Sequence, residues 1–277
     1  MNNKLIYYIN GEWIEKNKSK IPFSDSGFLY GDGLFETIRF NNNKPFRLNK
    51  HINRLRNGCN ILYLNLSITD KEIFNIITSI IEKNSLNKGL IRLMITRGSI
   101  SGTPWNHSGD ASIYALIRPL TEDPVLPVKI VYYKEKNYPI IRFNPAIKSM
   151  NYVGNLLAKK NAEEENAYEP AFINNEGFIT ECAIRNIFYI KNNILLTPEL
   201  SLGILPGVMR DTIIEISKKM HLTIKETKIK ISDINSMDEA FISSIGIGLY
   251  PCYWNNWNSN YPITQELRNN LNKILNR

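Results

Sequence analysis

Asn144-Pro-Ala-Ile-Lys148-Ser-Met-Asn-Tyr152-Val-Gly-Asn-Leu-Leu-Ala-Lys-Lys160 is the stretch on which the reading of this chain turns. An apolar extended segment gives way there to a helix expected over 151–166, and a lysine stands at the junction. Ile147 and Met150 beside it are apolar, while Lys159 and Lys160 fall on the polar face of the helix. A lysine held in a partly apolar pocket can lose its proton and attack a carbonyl, whereas most lysines are solvated and unreactive. Farther on, in Phe178-Ile-Thr-Glu181-Cys, comes a carboxylate just ahead of an apolar strand expected at 184–190. Glu181 could pair with a cationic ring nitrogen, or be an ordinary solvated turn residue.

Working outward, residues 119–127 (Pro-Leu-Thr-Glu-Asp-Pro-Val-Leu-Pro) hold three prolines in nine positions and read as an extended linker. The division expected is therefore a smaller N-terminal domain over 1–118, a linker over 119–127, and a larger C-terminal domain over 128–277 that carries Lys148. Before the linker, 5–10 and 12–15 flank Gly11 as a hairpin, and a strand within 27–40 places Phe35, Thr37 and Arg39 on one face. Asn49 is a candidate cap for a helix with the stripe Ile52, Leu55, Cys59, Leu62. Thr69-Asp-Lys-Glu72 is a capping box opening a second helix with Ile73, Ile76, Ile77, Ile80 and Ile81 inward. Strands at 90–97 and 111–117 follow. After the linker, strands are expected at 128–134, 184–190, 194–197 and 239–244, with helices at 151–166, 207–220 and 264–275. The fold class is α+β, two α/β-type domains with mixed sheets.

Composition excludes several functions. The net charge of +8 is scattered and no nucleic-acid reading element accompanies it, so no nucleic-acid partner is expected. No apolar run approaches the length of a spanning helix, and Met1-Asn-Asn-Lys-Leu-Ile-Tyr-Tyr is no signal peptide, so neither membrane nor export is expected. Cys59, Cys182 and Cys252 are odd in number and far apart, which fits a reducing, cytoplasmic setting. His51, His107 and His221 share no ligand spacing, and no metal is expected.

Three further segments could carry chemistry. Leu202-Gly-Ile-Leu-Pro206-Gly207-Val-Met-Arg-Asp211 feeds a helix whose first amides, Val208 and Met209, suit a phosphate, with Gly207 allowing close approach; it is equally an ordinary Pro-Gly turn. Arg54 could add a charge-assisted partner for that anion, or be an exposed helix arginine. Arg97, at a strand end with Gly98, could reach a substrate carboxylate or only a neighbouring acid. The glycines of Tyr30-Gly-Asp-Gly33 open a strand and not a helix, so they form no dinucleotide fingerprint.

Taken in order, Tyr30-Gly-Asp-Gly-Leu-Phe-Glu-Thr-Ile-Arg39, His51-Ile-Asn-Arg-Leu55, Lys148-Ser-Met-Asn-Tyr152, Thr180-Glu181 and Leu205-Pro-Gly-Val-Met-Arg-Asp211 resemble the class IV aminotransferases. These are the fold-type IV pyridoxal-phosphate enzymes: branched-chain and D-amino acid aminotransferases, and 4-amino-4-deoxychorismate lyase. The resemblance covers nearly the whole chain. It implies pyridoxal 5'-phosphate held between the domains and a homodimer whose partner loops help to close the site. Lys148 would be the Schiff-base lysine and the acid/base that moves the substrate α-proton, and Glu181 would hold the pyridine nitrogen protonated. Arg54 and the Val208 and Met209 amides would grip the phosphate. Tyr152 joins the cofactor-binding set, and Phe35, Thr37 and Arg97 become the substrate residues. One stretch departs from the family: Phe241-Ile-Ser-Ser-Ile245-Gly-Ile-Gly248 has Ile245 where aminotransferases often carry a phosphate-binding threonine. Ile245 can offer only its backbone N–H, leaving Ser244 as a further ligand.

The reaction is read from the same residues. Leu34-Phe35-Glu36-Thr37, Ile95-Thr-Arg97-Gly98 and Thr180-Glu-Cys182 look like the lyases; branched-chain enzymes usually have Gly where Thr37 stands. Lys148-Ser-Met-Asn and Leu205-Pro-Gly-Val-Met-Arg-Asp look like the aminotransferases, and the second Arg-Gly of the lyases is missing, with Thr103-Pro104-Trp105 in its region. Transfer of an amino group between an amino acid and a 2-oxo acid ranks first. Elimination of pyruvate from aminodeoxychorismate to leave 4-aminobenzoate is the alternative, and a catalytically silent pyridoxal-phosphate binder comes third.

Overall fold

The computed structural model describes residues 5–103, 105 and 109–276, and Pro104 and His107 lie outside the described residues. The chain forms two compact units, Met1–Thr121 with Ile147–Asn151, and Glu122–Ala146 with Tyr152–Arg277. No helix is long and apolar enough to cross a membrane among the described residues.

In the first unit, β1 (Ile6–Ile9) and β2 (Glu12–Glu15) form the expected hairpin. A short helix α1 (Ser26–Tyr30) ends at left-handed Gly31 and feeds β3 (Gly33–Asn41), followed by β4 (Lys44–Pro45). Next come α2 (Leu48–Ile61), α3 (Asp70–Asn84), β5 (Lys88–Thr96) and β6 (Ser112–Arg118). The six strands are ordered β2-β1-β6-β5-β3-β4 and pair antiparallel throughout, so a mixed sheet is found only in the second unit. Period-two alternation turns Leu34, Glu36 and Ile38 to one face of β3 and Phe35, Thr37 and Arg39 to the other. The Leu34 face is covered by α2, where Gly58 is required: a Cβ there would stand 2.7 Å from Leu34 Cδ1.

The α3 capping box forms as expected, with Thr69 N donating to Glu72 Oε2 at 2.6 Å and Glu72 N to Thr69 Oγ1 at 3.2 Å. All five isoleucines of its stripe are buried. The start of α2 is a correction. Asn49 lies inside the helix, and the N-cap is Arg47 at φ 50 with no side-chain cap bond. Leu48 is buried with Ile52, Leu55 and Cys59, so apolar anchorage of the first turn prevails over the capping preference of asparagine.

The second unit opens with β7 (Val128–Lys134), then α4 (Val153–Glu164), β8 (Glu169–Ile173), β9 (Phe178–Cys182), β10 (Asn186–Lys191) and β11 (Ile194–Pro198). It continues with α5 (Val208–Lys219), β12 (Thr223–Thr227), β13 (Ile229–Lys230), β14 (Glu239–Ser244), β15 (Gly248–Tyr253) and α6 (Pro262–Leu275). Its nine strands run β12-β11-β10-β14-β15-β7-β8-β9-β13, with parallel pairs at β11–β12, β15–β7 and β7–β8. Asn192 and Asn193, at φ 49 and 60, make the two-residue turn between β10 and β11. Buried Glu239 accepts from the Ile263 and Thr264 amides at 2.9 and 2.7 Å and so caps α6 from β14.

Six strands escaped the sequence reading: β4, β8, β9, β12, β13 and β15. Pro170 and a buried Glu169 disguise β8, and the edge strand β12 is largely polar. Pro251 disguises β15, yet β7 pairs with that strand only from Cys252 onward, which leaves the proline outside that pairing.

Candidate active site

Lys148 belongs to the first unit, against the expectation that the C-terminal domain carries it. The reason is backbone pairing. Phe35 N donates to Lys148 O at 3.0 Å and Met150 N to Gly33 O at 2.9 Å, so Ile147–Asn151 extends the sheet at the β3 edge that β4 leaves open. A Cβ on Gly33 would collide with Met150 Sδ and Ile95 O, at 2.8 and 2.6 Å. Asn151 reinforces the attachment by donating to Gly31 O at 3.1 Å.

This pairing sets the lysine side chain on Phe35, with Nζ 4.5 Å from the ring centroid. Arg92, from β5, stands over the same ring at 4.4 Å, and half-buried Thr37 is its cross-strand partner. Two of the three expected substrate residues, Phe35 and Thr37, thus share a face with the lysine. Arg97 takes the other course the sequence left open. Its Nε and NH2 grip Asp32 at 2.6 and 3.1 Å, and NH2 and NH1 donate to Leu62 O and Tyr63 O.

Arg54 is likewise no bare surface cation. Its Nε and NH2 bind both oxygens of Glu36, each at 2.7 Å, and His51 Nδ1 meets Glu36 Oε2 at 2.7 Å. Burial alone would raise the Glu36 pKa, but the Arg54 charge and the bonds from Arg54 and His51 outweigh it and bring it to about 2. The acceptor being a carboxylate, His51 Nδ1 carries the hydrogen, and Nε2 is buried with no hydrogen-bond partner. Burial also drives the His51 pKa down against the pull of Glu36, with the charges of Arg54 and Lys148 adding to the fall. The sequence reading missed this triad, although His51 and Arg54, three apart on α2, held a legible signal: both reach the same carboxylate.

In the second unit, Glu181 lies within β9 and not in a turn ahead of the next strand. Its Oε1 accepts from Arg142 NH1, and its Oε2 from Leu205 N at 3.2 Å. Leu205 leads to α5, which starts on Gly207 without a side-chain cap, so the Val208 and Met209 amides have no intrahelical acceptor. Gly207 is demanded by packing: a Cβ would meet Asn186 Oδ1 at 2.1 Å. Tyr152, half-buried, is the N-cap of α4. Ser244 pairs with Gly248 where β14 turns into β15, and Ile245 buries its side chain in that turn.

The sequence profile of the family described as amino-transferase class IV matches residues 33–253. Curated relatives include a putative branched-chain-amino-acid aminotransferase of Methanocaldococcus jannaschii, 30% identical over 89% of this chain and 86% of its own. A D-alanine aminotransferase of Listeria monocytogenes is 30% identical over 88% and 85%, and an aminodeoxychorismate lyase of Bacillus subtilis 29% identical over 88% and 84%. Among solved structures, a branched-chain aminotransferase of Thermoproteus uzoniensis with norvaline superposes with a TM-score of 0.91 at 23% identity, over 98% of this chain and 94% of that one.

Proposed function

Because the chain belongs to the class IV aminotransferase family, we propose that it uses pyridoxal 5'-phosphate to move an amino group between an amino acid and a 2-oxo acid, with Lys148 as the catalytic residue. The observation that carries the reading is the placement of Lys148, fixed by its backbone on the β3 edge with Nζ against the Phe35 ring. The donor set fits the cofactor: a primary amine, a carboxylate already held in place, and an uncapped helix start. When bound, pyridoxal phosphate supplies an aldehyde for amines and a ring that draws electrons from the attached carbon.

The chain supplies the rest. Lys148 Nζ is the amine that would hold the aldehyde and, when freed by substrate, would carry the α-proton, a role that contributes roughly 10²–10⁴-fold. Glu181 would accept the pyridine N–H. The Val208, Met209 and Ile245 amides and the Ser244 hydroxyl would hold the phosphate, Arg54, oriented by Glu36, would add positive charge for it, and Tyr152 would line the ring. Arg97, bound to Asp32, fixes the turn that precedes β3. The lyase reading retains one supporting observation: Thr37 presents a hydroxyl on the face that Phe35 and Lys148 share.

A panel of D-alanine, L-leucine, L-glutamate and aminodeoxychorismate, assayed for 2-oxo acid and for 4-aminobenzoate, separates the two reactions. Wild-type enzyme is expected to release 2-oxo acid, and release of 4-aminobenzoate with pyruvate would install the lyase. Lys148→Ala is expected to abolish turnover and reductive trapping of the cofactor on the chain. A Lys148→Ala enzyme that still transaminates overturns the assignment.

The chain would act as a homodimer in the cytoplasm. Support for the dimer comes from apolar side chains left in solvent: Phe23 and Phe28 at 81% and 61% exposure in the first unit, Leu156 and Leu157 on α4 at 58% and 50% in the second. Support for the compartment comes from Cys59, Cys182 and Cys252, all buried free thiols.

A further inference from the structure

Arg142 took no part in the sequence reading, yet it is the hub of the charged cluster around Glu181. One edge of its guanidinium, Nε and NH2, closes on Glu135 Oε1 at 3.0 and 2.5 Å. NH2 also donates to Thr180 Oγ1 at 3.1 Å, and that hydroxyl donates to Glu135 Oε1 at 2.6 Å. The remaining nitrogen, NH1, donates to Glu181 Oε1. One cation therefore serves two carboxylates, all three side chains being mostly buried. The backbone makes room for it: Gly203, left-handed at φ 71, passes so close that a Cβ there would come within 3.3 Å of Arg142 Cβ.

The two oxygens of Glu181 are held unequally. Oε1 has a charged donor, while Oε2 has a single backbone amide at 3.2 Å and keeps acceptor capacity to spare. The neighbouring titratable groups are few. Glu135 shares the guanidinium, and Cys182, next along β9, has its thiol pushed well above the usual range by burial. Arg185 is occupied by Glu169. Burial would weaken the hold of Arg142 on its proton, but Glu181 and Glu135 more than reverse this, so the cation persists at every working pH. Without it, two carboxylates would face each other, and like charges in a shared site drive one of them to take up a proton.

We propose that Arg142 is a positioning residue: clamped by Glu135, it neutralises the like charge beside Glu181 and aims Oε2 of Glu181 as a proton acceptor for the pyridine N–H. The proposal rests on the pyridoxal-phosphate reading above.

The test is the pH dependence of pyridoxal 5'-phosphate affinity, followed by fluorescence quenching of the full chain from pH 8 to pH 4.5, with no turnover needed. In Arg142→Gln the loss of affinity on acidification is expected about one pH unit higher than in wild type. The double variant Glu135→Gln/Arg142→Gln, which removes the like charge, is expected to bring it back, and Arg142→Lys to keep the wild-type profile. Glu135→Gln alone, the variant to use should Arg142→Gln not fold, is expected to move the loss in the opposite direction. An Arg142→Gln profile that parallels wild type, or a uniform loss that the double variant does not restore, overturns the proposal. So does a Glu135→Gln profile that does not move. A wild-type chain that binds no cofactor at any pH fails the parent reading instead, and the two failures are thereby distinct.

Discussion

Glu36 is buried between an arginine and a histidine, and its environment sets how the protein should respond to acid. Its carboxyl titrates at about 2 in the fold against an ordinary 4.5, so the stability it contributes is complete above 4.5 and is lost as pH falls toward 2. His51 is depressed below its ordinary 6.5, meaning that the fold prefers it neutral; the unfolded chain binds that proton first, so this contribution also declines as pH falls below 6.5. Urea midpoints are therefore expected to drop continuously from pH 6.5 downward. Glu36→Gln should cost about 3 kcal/mol at pH 7, because it leaves a buried pair half broken, and should flatten the fall below pH 4.5. A wild-type midpoint that stays level between pH 6.5 and pH 3 would contradict both assignments.

At the scale of elements, α3 owes its start to a reciprocal cap and its place to five buried isoleucines. Thr69→Ala removes the side-chain acceptor at the N-cap and is expected to lower stability by about 1 kcal/mol, with Ile77→Ala costing about 2–5 kcal/mol; denaturant titration measures both, and equal costs would sink the argument. Both features were legible because each lies within a few residues of sequence. The same holds for the Asn192-Asn193 hairpin and for β14. Elements specified from a distance were not legible. β8 is a strand because Glu169 finds Arg185 and because β7 offers a parallel partner, neither of which local periodicity encodes. The candidate site divides in the same way. Lys148, Glu181 and the α5 start were found as ordered motifs, while Arg142, Glu135 and the capture of Arg54 by Glu36 depend on contacts between segments that the sequence does not place together.

For the whole molecule, the proposed dimer would place a second copy over exposed aromatic and aliphatic side chains. Phe23 and Phe28 touch one another, with ring centroids 5.6 Å apart, and both remain largely in solvent. Replacing both with serine is expected to shift sedimentation toward a monomer, with little change in the far-ultraviolet circular dichroism spectrum. A double variant that sediments like wild type would remove these residues from the proposed interface.

The linker expected at 119–127 suggested that one junction separates two self-contained parts. The chain instead passes between its units three times, after Thr121, after Ala146 and after Asn151. A gene cut at the proline-rich stretch would yield an N-terminal half with an open β3 edge and no Lys148, and a C-terminal half carrying Lys148 with nothing to dock it on. Single-crossover recombination at that junction, the simplest route by which domains are traded between proteins, would have to bring in a partner whose lysine segment already matches the waiting edge strand. Co-inheritance of the two halves is thus written into the path of the backbone.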